Sequence, residues 1–136
     1  MPIVGFGFDK INGERKEFIK KVKIENKINV TSLKESKLMI GKEEKAALKA
    51  VFEFNVDYES AGKLQMIGHV VYFDTDEVIK DLLEKWKKDE KIPVDFGTLV
   101  YNFIISKCSI KALQLEEDLG LPLHISFPRI VQKKKE

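Results

Sequence analysis

Residues 46–86 read AALKAVFEFNVDYESAGKLQMIGHVVYFDTDEVIKDLLEKW, and the fold turns on where the spacing of apolar residues changes within them. Leu48, Ala50, Phe52, Phe54, Val56 and Tyr58 recur at every second position, with Lys49, Glu53, Asn55 and Asp57 between them. A period of two puts each set on its own face of a strand. Glu59 to Gly62 reads as a turn. Leu64 to Phe73 is the next strand, apolar on both faces towards its end, so residues 46–58 and 63–73 should form a long hairpin. At Asp74 the period becomes 3.6. Asp74 and Glu77 suit a capping box that opens a helix. Ile79, Leu82, Leu83 and Trp86 then make one apolar stripe, opposite Lys80, Asp81, Glu84, Lys85, Lys87 and Lys88, so this helix lies on a surface.

Downstream, Pro93 fits the first turn of a second helix, which should run to Leu119 and stop at Gly120, with Pro122 just beyond. At 1.5 Å per residue its length is roughly 40 Å. From Leu99 to Ile105 it is apolar almost all round. One sheet covers only one face of a helix, so the surplus must meet the first helix, the C-terminal tail or another subunit. The tail alternates Leu121, Leu123, Ile125 and Phe127 between prolines and reads as an extended strap.

Upstream, Val4, Phe6 and Phe8 alternate with Gly5 and Gly7, a strand whose second face is bare enough for another backbone to approach. Asn12-Gly13 is a turn signal. Val22, Ile24, Ile28 and Val30 face away from Lys23, Glu25, Lys27 and Asn29, which predicts an antiparallel strand with one wet face. Residues 32–45 have a helix-like composition broken at Gly41, and a loop or hairpin is the expectation there. The sum is an α+β fold: an antiparallel four-stranded sheet followed by a shorter helix and a long C-terminal helix with an extended tail. Residues 1–130 form one expected domain, and residues 131–136 a basic, disordered tail.

The 136 residues are 43% hydrophobic and 34% charged, above the usual charge of about 25%. The net charge is only +2, because lysines alternate with acids, and the sole basic run longer than two residues is Lys133 to Lys135. That argues against nucleic-acid binding, which calls for a basic surplus on one face. No stretch reaches the ~18 apolar residues of a membrane span, and no signal core precedes the first strand, so membrane insertion is not expected and a cytoplasmic location is. Arg15 and Arg129 are the only arginines. Such lysine and glutamate enrichment occurs in hyperthermophile proteins and also follows from biased genome composition.

Chemistry-bearing motifs are lacking. Gly5-Phe6-Gly7 has no third glycine at dinucleotide-loop spacing, and Lys42 after Gly41 lacks the rest of a phosphate loop. His69 and His124 stand apart, with no converging ligands for a metal. Cys108 sits among apolar residues without a base, as a core filler would. Glu116, Glu117 and Asp118 splay about 100° apart on a helix and read as a solvated end, not an acid/base pair. Catalytic residues, metal sites and cofactors are therefore not expected.

The aromatic residues do offer a function. Most belong to the core. The excess could close a homo-oligomer or line a groove for apolar segments, where each contact is weak and many add up. The groove residues expected from aromatic placement are Phe6, Phe8, Phe52, Phe54, Tyr72, Phe73 and Trp86. The expected oligomer interface is Leu99, Phe103 and Ile104.

From Val51 to Ile130 the chain resembles the SecB-type export chaperones. The resemblance is carried by HVVYF (69–73), VIKDLLEKW (78–86) and VYNFIISKCSIKALQLEEDLGLPLHISFPRI (100–130), with GFGFDKI (5–11) compatible with that family's first strand. It implies a cytosolic dimer of dimers, a homo-oligomer that holds unfolded polypeptides for protein transport. The family docks a translocation motor through acidic patches, whereas here lysines interleave the acids. Two further readings stay open: an adaptor, or antitoxin-linked protein, for one specific protein partner, and a small-ligand enzyme whose site leaves no motif.

Overall fold

A computed structural model describes residues 3–18 and 21–125. Four strands, β1 (Ile3–Arg15), β2 (Glu25–Ile40), β3 (Glu43–Asp57) and β4 (Gly62–Phe73), precede two helices, α1 (Asp76–Asp89) and α2 (Val94–Leu119). The strands form one antiparallel sheet in the order β1-β4-β3-β2. This is the expected α+β architecture of a four-stranded sheet, a shorter helix and a long one.

Strand limits differ from the expectation in two places. Asn12-Gly13 is no turn: β1 continues through it, pairing Asn12 with Gln65 and Gly13 with Leu64. A side chain at Gly13 would place its Cβ 2.9 Å from carbons of both Leu64 and Leu119, so glycine there lets the end of α2 close on the sheet. Of the loop or hairpin expected over residues 32–45 the structure shows the hairpin, with both strands reaching further into it. β2 runs on to Ile40, the chain reverses at Gly41-Lys42, and Ile40 pairs with Glu43. Fifteen residues of pairing with β3 override the local helix-like composition.

α1 starts one residue later than a capping box at Asp74 would place it. Thr75 is the N-cap, its hydroxyl accepting from the Val78 N–H at 3.4 Å. Asp74 instead accepts from the Thr75 N–H and, through Oδ2, from the Tyr72 hydroxyl at 2.6 Å. α2 ends as expected. Gly120 adopts a left-handed conformation, and the Leu121 N–H reaches back to the Glu116 carbonyl at 2.9 Å.

Both helices cover one face of the sheet, α1 over β2 and β3, α2 over β1 and β4. Alternate residues of β3 and β4 face them: Leu48, Phe52, Phe54 and Val56, then Leu64, Met66, Val70 and Tyr72, all buried. Burying each such side chain contributes about 1.5–3 kcal/mol. α2 answers with Phe96, Val100, Ile104, Cys108 and Ala112, a stripe advancing by fours. Phe6 stacks on Phe52 and meets Phe103 edge-on, and Tyr72 meets Phe96 edge-on at 4.9 Å. Leu121 is buried after α2, the start of the expected strap. Phe127, Arg129 and the basic tail lie outside the described residues.

Candidate functional site

The residues expected to share one groove do not converge. Phe52, Phe54 and Tyr72 are core, at most 3% exposed, because the inner face of the sheet that carries them is already covered by the two helices. Phe73 alternates with Tyr72 and lines a separate hollow of about 710 Å³ beside α1, rimmed by Glu35, Glu44, Asp74, Asp76, Lys45 and Lys80. Trp86 is half-buried on α1, and Phe6 and Phe8 are half-buried on β1. Of the expected interface, Ile104 is wholly buried within its own chain and is core. Phe103 is half-buried against Phe6, and Leu99 is 36% exposed. α2 nonetheless carries more apolar surface than its own subunit covers, since Val94, Ile105 and Ile110 also stand exposed.

Two open surfaces flank α2. The first is a groove of about 670 Å³ between α1 and α2. Tyr72 and Phe96 form its floor, Val78 and Leu82 one wall, Pro93 and Leu99 the other. Its position follows from the helix faces. Ile79 and Leu82 hold α1 to the sheet, which leaves Val78 on the shoulder turned to α2. Glu77, Asp81, Lys85 and Asp95 rim it, and Lys85 pairs with Asp81 at 3.1 Å, so Glu77 and Asp95 are its remaining charges. Burial, and then the bond to Asp74, push the Tyr72 hydroxyl above its ordinary pKa, so it stays a neutral donor in the floor.

The second is a seam of about 330 Å³ between β1 and α2, lined by Phe6, Gly7, Phe8, Lys107, Ile110, Lys111 and Gln114. Phe6 and Phe8 meet edge-on at 5.1 Å, and the Lys107 ammonium lies 5.6 Å from the Phe103 ring centre.

Sequence reasoning missed one buried polar cluster. Glu116 belongs to the inward stripe of α2 and is fully buried, not part of a solvated end. Its carboxylate accepts from the Tyr58 hydroxyl, from the His124 N–H at 3.0 Å and from His124 Nδ1 at 2.8 Å. The His124 side chain is 1% exposed, and its Nε2 has no partner among the described residues. Counting by fours from Phe96 reaches Glu116, and that count was the signal. The cluster pins the chain after α2 against the turn after β3. Burial, and then Glu116, push the Tyr58 hydroxyl far above its ordinary pKa. By tying the chain after α2 to Tyr58, the cluster acts as a structural clasp.

Cys108 is buried in α2, and burial pushes its thiol up to about 12, which leaves it protonated and unreactive at neutral pH. Among the described residues no three His, Cys, Asp or Glu side chains come together to hold a metal ion, and no helix is long and apolar enough to cross a membrane. No family model, curated protein or solved structure matches this sequence.

Proposed function

We propose that the protein is a holdase: a non-enzymatic, SecB-like chaperone of the cytoplasm that shelters exposed apolar segments of unfolded polypeptides. The observation that carries this reading is the groove between α1 and α2. It is open, floored by two aromatic rings, walled by Val78, Leu82 and Leu99, and charged only at its rim. Such a surface suits extended chains with apolar side chains. Filling it releases roughly 25 cal/mol per Å² of apolar area against the cost of ordering the client, so single contacts are weak and exchangeable. The order of elements, which resembles the SecB type, adds support, as do the exposed Val94 and Ile105 on α2, which suit self-association into a dimer or tetramer.

The test is suppression of aggregation of several unrelated denatured proteins. Leu99→Asp together with Val78→Asp places charges on residues that are each 36% exposed, so the fold should survive. Holding should fall by about thirtyfold, because each of the two desolvated apolar anchors contributes about 1 kcal/mol. Unchanged suppression by a folded double variant refutes the groove. Saturable binding of one protein, with no protection of others, supports the adaptor reading instead.

A further inference from the structure

We propose that the seam between β1 and α2 docks an extended segment of another protein, which adds as a fifth strand alongside β1 and presents apolar side chains and a carboxylate on its inward face. Three observations converge on this. First, β1 is an edge strand whose backbone has no partner on one side among the described residues. Unpaired edges are normally guarded by lysine, proline, short length or bulges. The other edge, β2, carries Lys27, Lys34 and Lys37, whereas Ile3 to Phe8 of β1 carry no charge at all. β1 shifts register after Ile3 and after Phe8, so its open edge is the regular, uncharged stretch from Gly5 to Phe8, which has no lysine to guard it.

Second, the unguarded edge opens onto a depression floored by Phe6, Phe8 and Ile110, the last 59% exposed. A strand laid beside β1 would drop every second side chain onto this floor. Third, the charged residues lining the seam are Lys107 and Lys111, one helical turn apart on α2, with no carboxylate among the lining residues. The groove on the other side of α2 has acidic residues in its rim, so the two surfaces select different partners. Because the lysines stand on the helix side, a matching carboxylate must share the inward face with the apolar anchors, two residues from the nearest one. Backbone pairing favours a polypeptide over a lipid carboxylate.

The proposal does not rest on the holdase reading, whose groove is tested with Val78 and Leu99. The probe is a labelled peptide of about seven residues, Thr-Leu-Thr-Leu-Thr-Glu-Thr, followed by fluorescence anisotropy. Lys107→Gln with Lys111→Gln should weaken binding about tenfold, in keeping with two partly exposed ion pairs. Moving the glutamate one place along the peptide, at constant composition, should weaken it to a similar degree, because the carboxylate then faces away. N-methylation of alternate peptide nitrogens should abolish binding. If the shifted or the N-methylated peptide binds wild-type protein as well as the parent does, the proposal fails. It also fails if the parent peptide does not bind, or if sedimentation shows a second copy of this chain on the edge that the peptide cannot displace.

Discussion

Removing the Glu116 carboxylate is the sharpest test of how the C-terminal end of α2 is held. In Glu116→Ala three buried donors lose their acceptor together: the Tyr58 hydroxyl, the His124 N–H and the ring N–H at His124 Nδ1. Each stranded donor costs about 1–3 kcal/mol. Part of that sum is offset because a buried carboxylate no longer has to be desolvated, and breaking such a cluster typically costs about 3–5 kcal/mol net. Against a total stability of about 5–15 kcal/mol the variant should be marginal. With a urea slope of about 2 kcal/mol per molar, its midpoint in circular dichroism should fall by roughly 2 M. Tyr58→Phe alone should cost about 1.5–3 kcal/mol, the worth of a hydrogen bond to a charged acceptor. In the Glu116→Ala background it should cost almost nothing, since it then removes a stranded hydroxyl. A coupling below about 0.5 kcal/mol in this double-mutant cycle would refute the clasp.

Alkaline pH should destabilise the fold through its tyrosines. Burial first, and carboxylate contact second, raise the Tyr58 and Tyr72 hydroxyls above their ordinary pKa in the folded state. The folded chain thus keeps protons that the unfolded chain gives up. Their contribution is complete below about pH 10 and falls as pH rises further, by about 1.4 kcal/mol per pH unit for each tyrosine. Melting temperatures from pH 9 to 11.5 should decline less steeply in Tyr58→Phe, and identical slopes count against the assignment. At Gly62, where φ is +153°, an added Cβ would sit on the Glu14 carbonyl oxygen, so Gly62→Ala should cost well over ~1 kcal/mol. At Gly41, with φ +65° and open space around it, Gly41→Asn should change stability by less than about 1 kcal/mol, and equal effects at the two sites in chemical denaturation would contradict these geometries.

The sequence was most legible where one period runs long. Alternation in residues 46–73 and the 3.6 spacing after Asp74 located β3, β4 and α1, and the Gly120–Pro122 stop located the end of α2. It failed where partners distant in the chain decide. Asn12-Gly13 carries a strong local turn signal, but pairing with β4 and the approach of Leu119 keep it extended. Glu116 looked solvated beside Glu117 and Asp118, because nothing local shows that Tyr58 and His124 converge on it. The groove was misassembled for a related reason. Aromatic residues on one strand face were counted as available surface, although the helices that cover that face also follow from the sequence. What the groove does use, Val78 and Leu99, stands on helix shoulders that a stripe-based reading leaves out.

The topology also has a kinetic consequence. The β2–β3 and β3–β4 connections close over a few residues each, whereas the nearest β1–β4 pair, Arg15 with Gly62, encloses all of β2 and β3. Closing that interval loses more chain entropy than either hairpin, so β1 is expected to dock last. Until it does, the edge of β4 from Gly62 to Tyr72 lies unpaired, a template on which a neighbouring chain can misassemble.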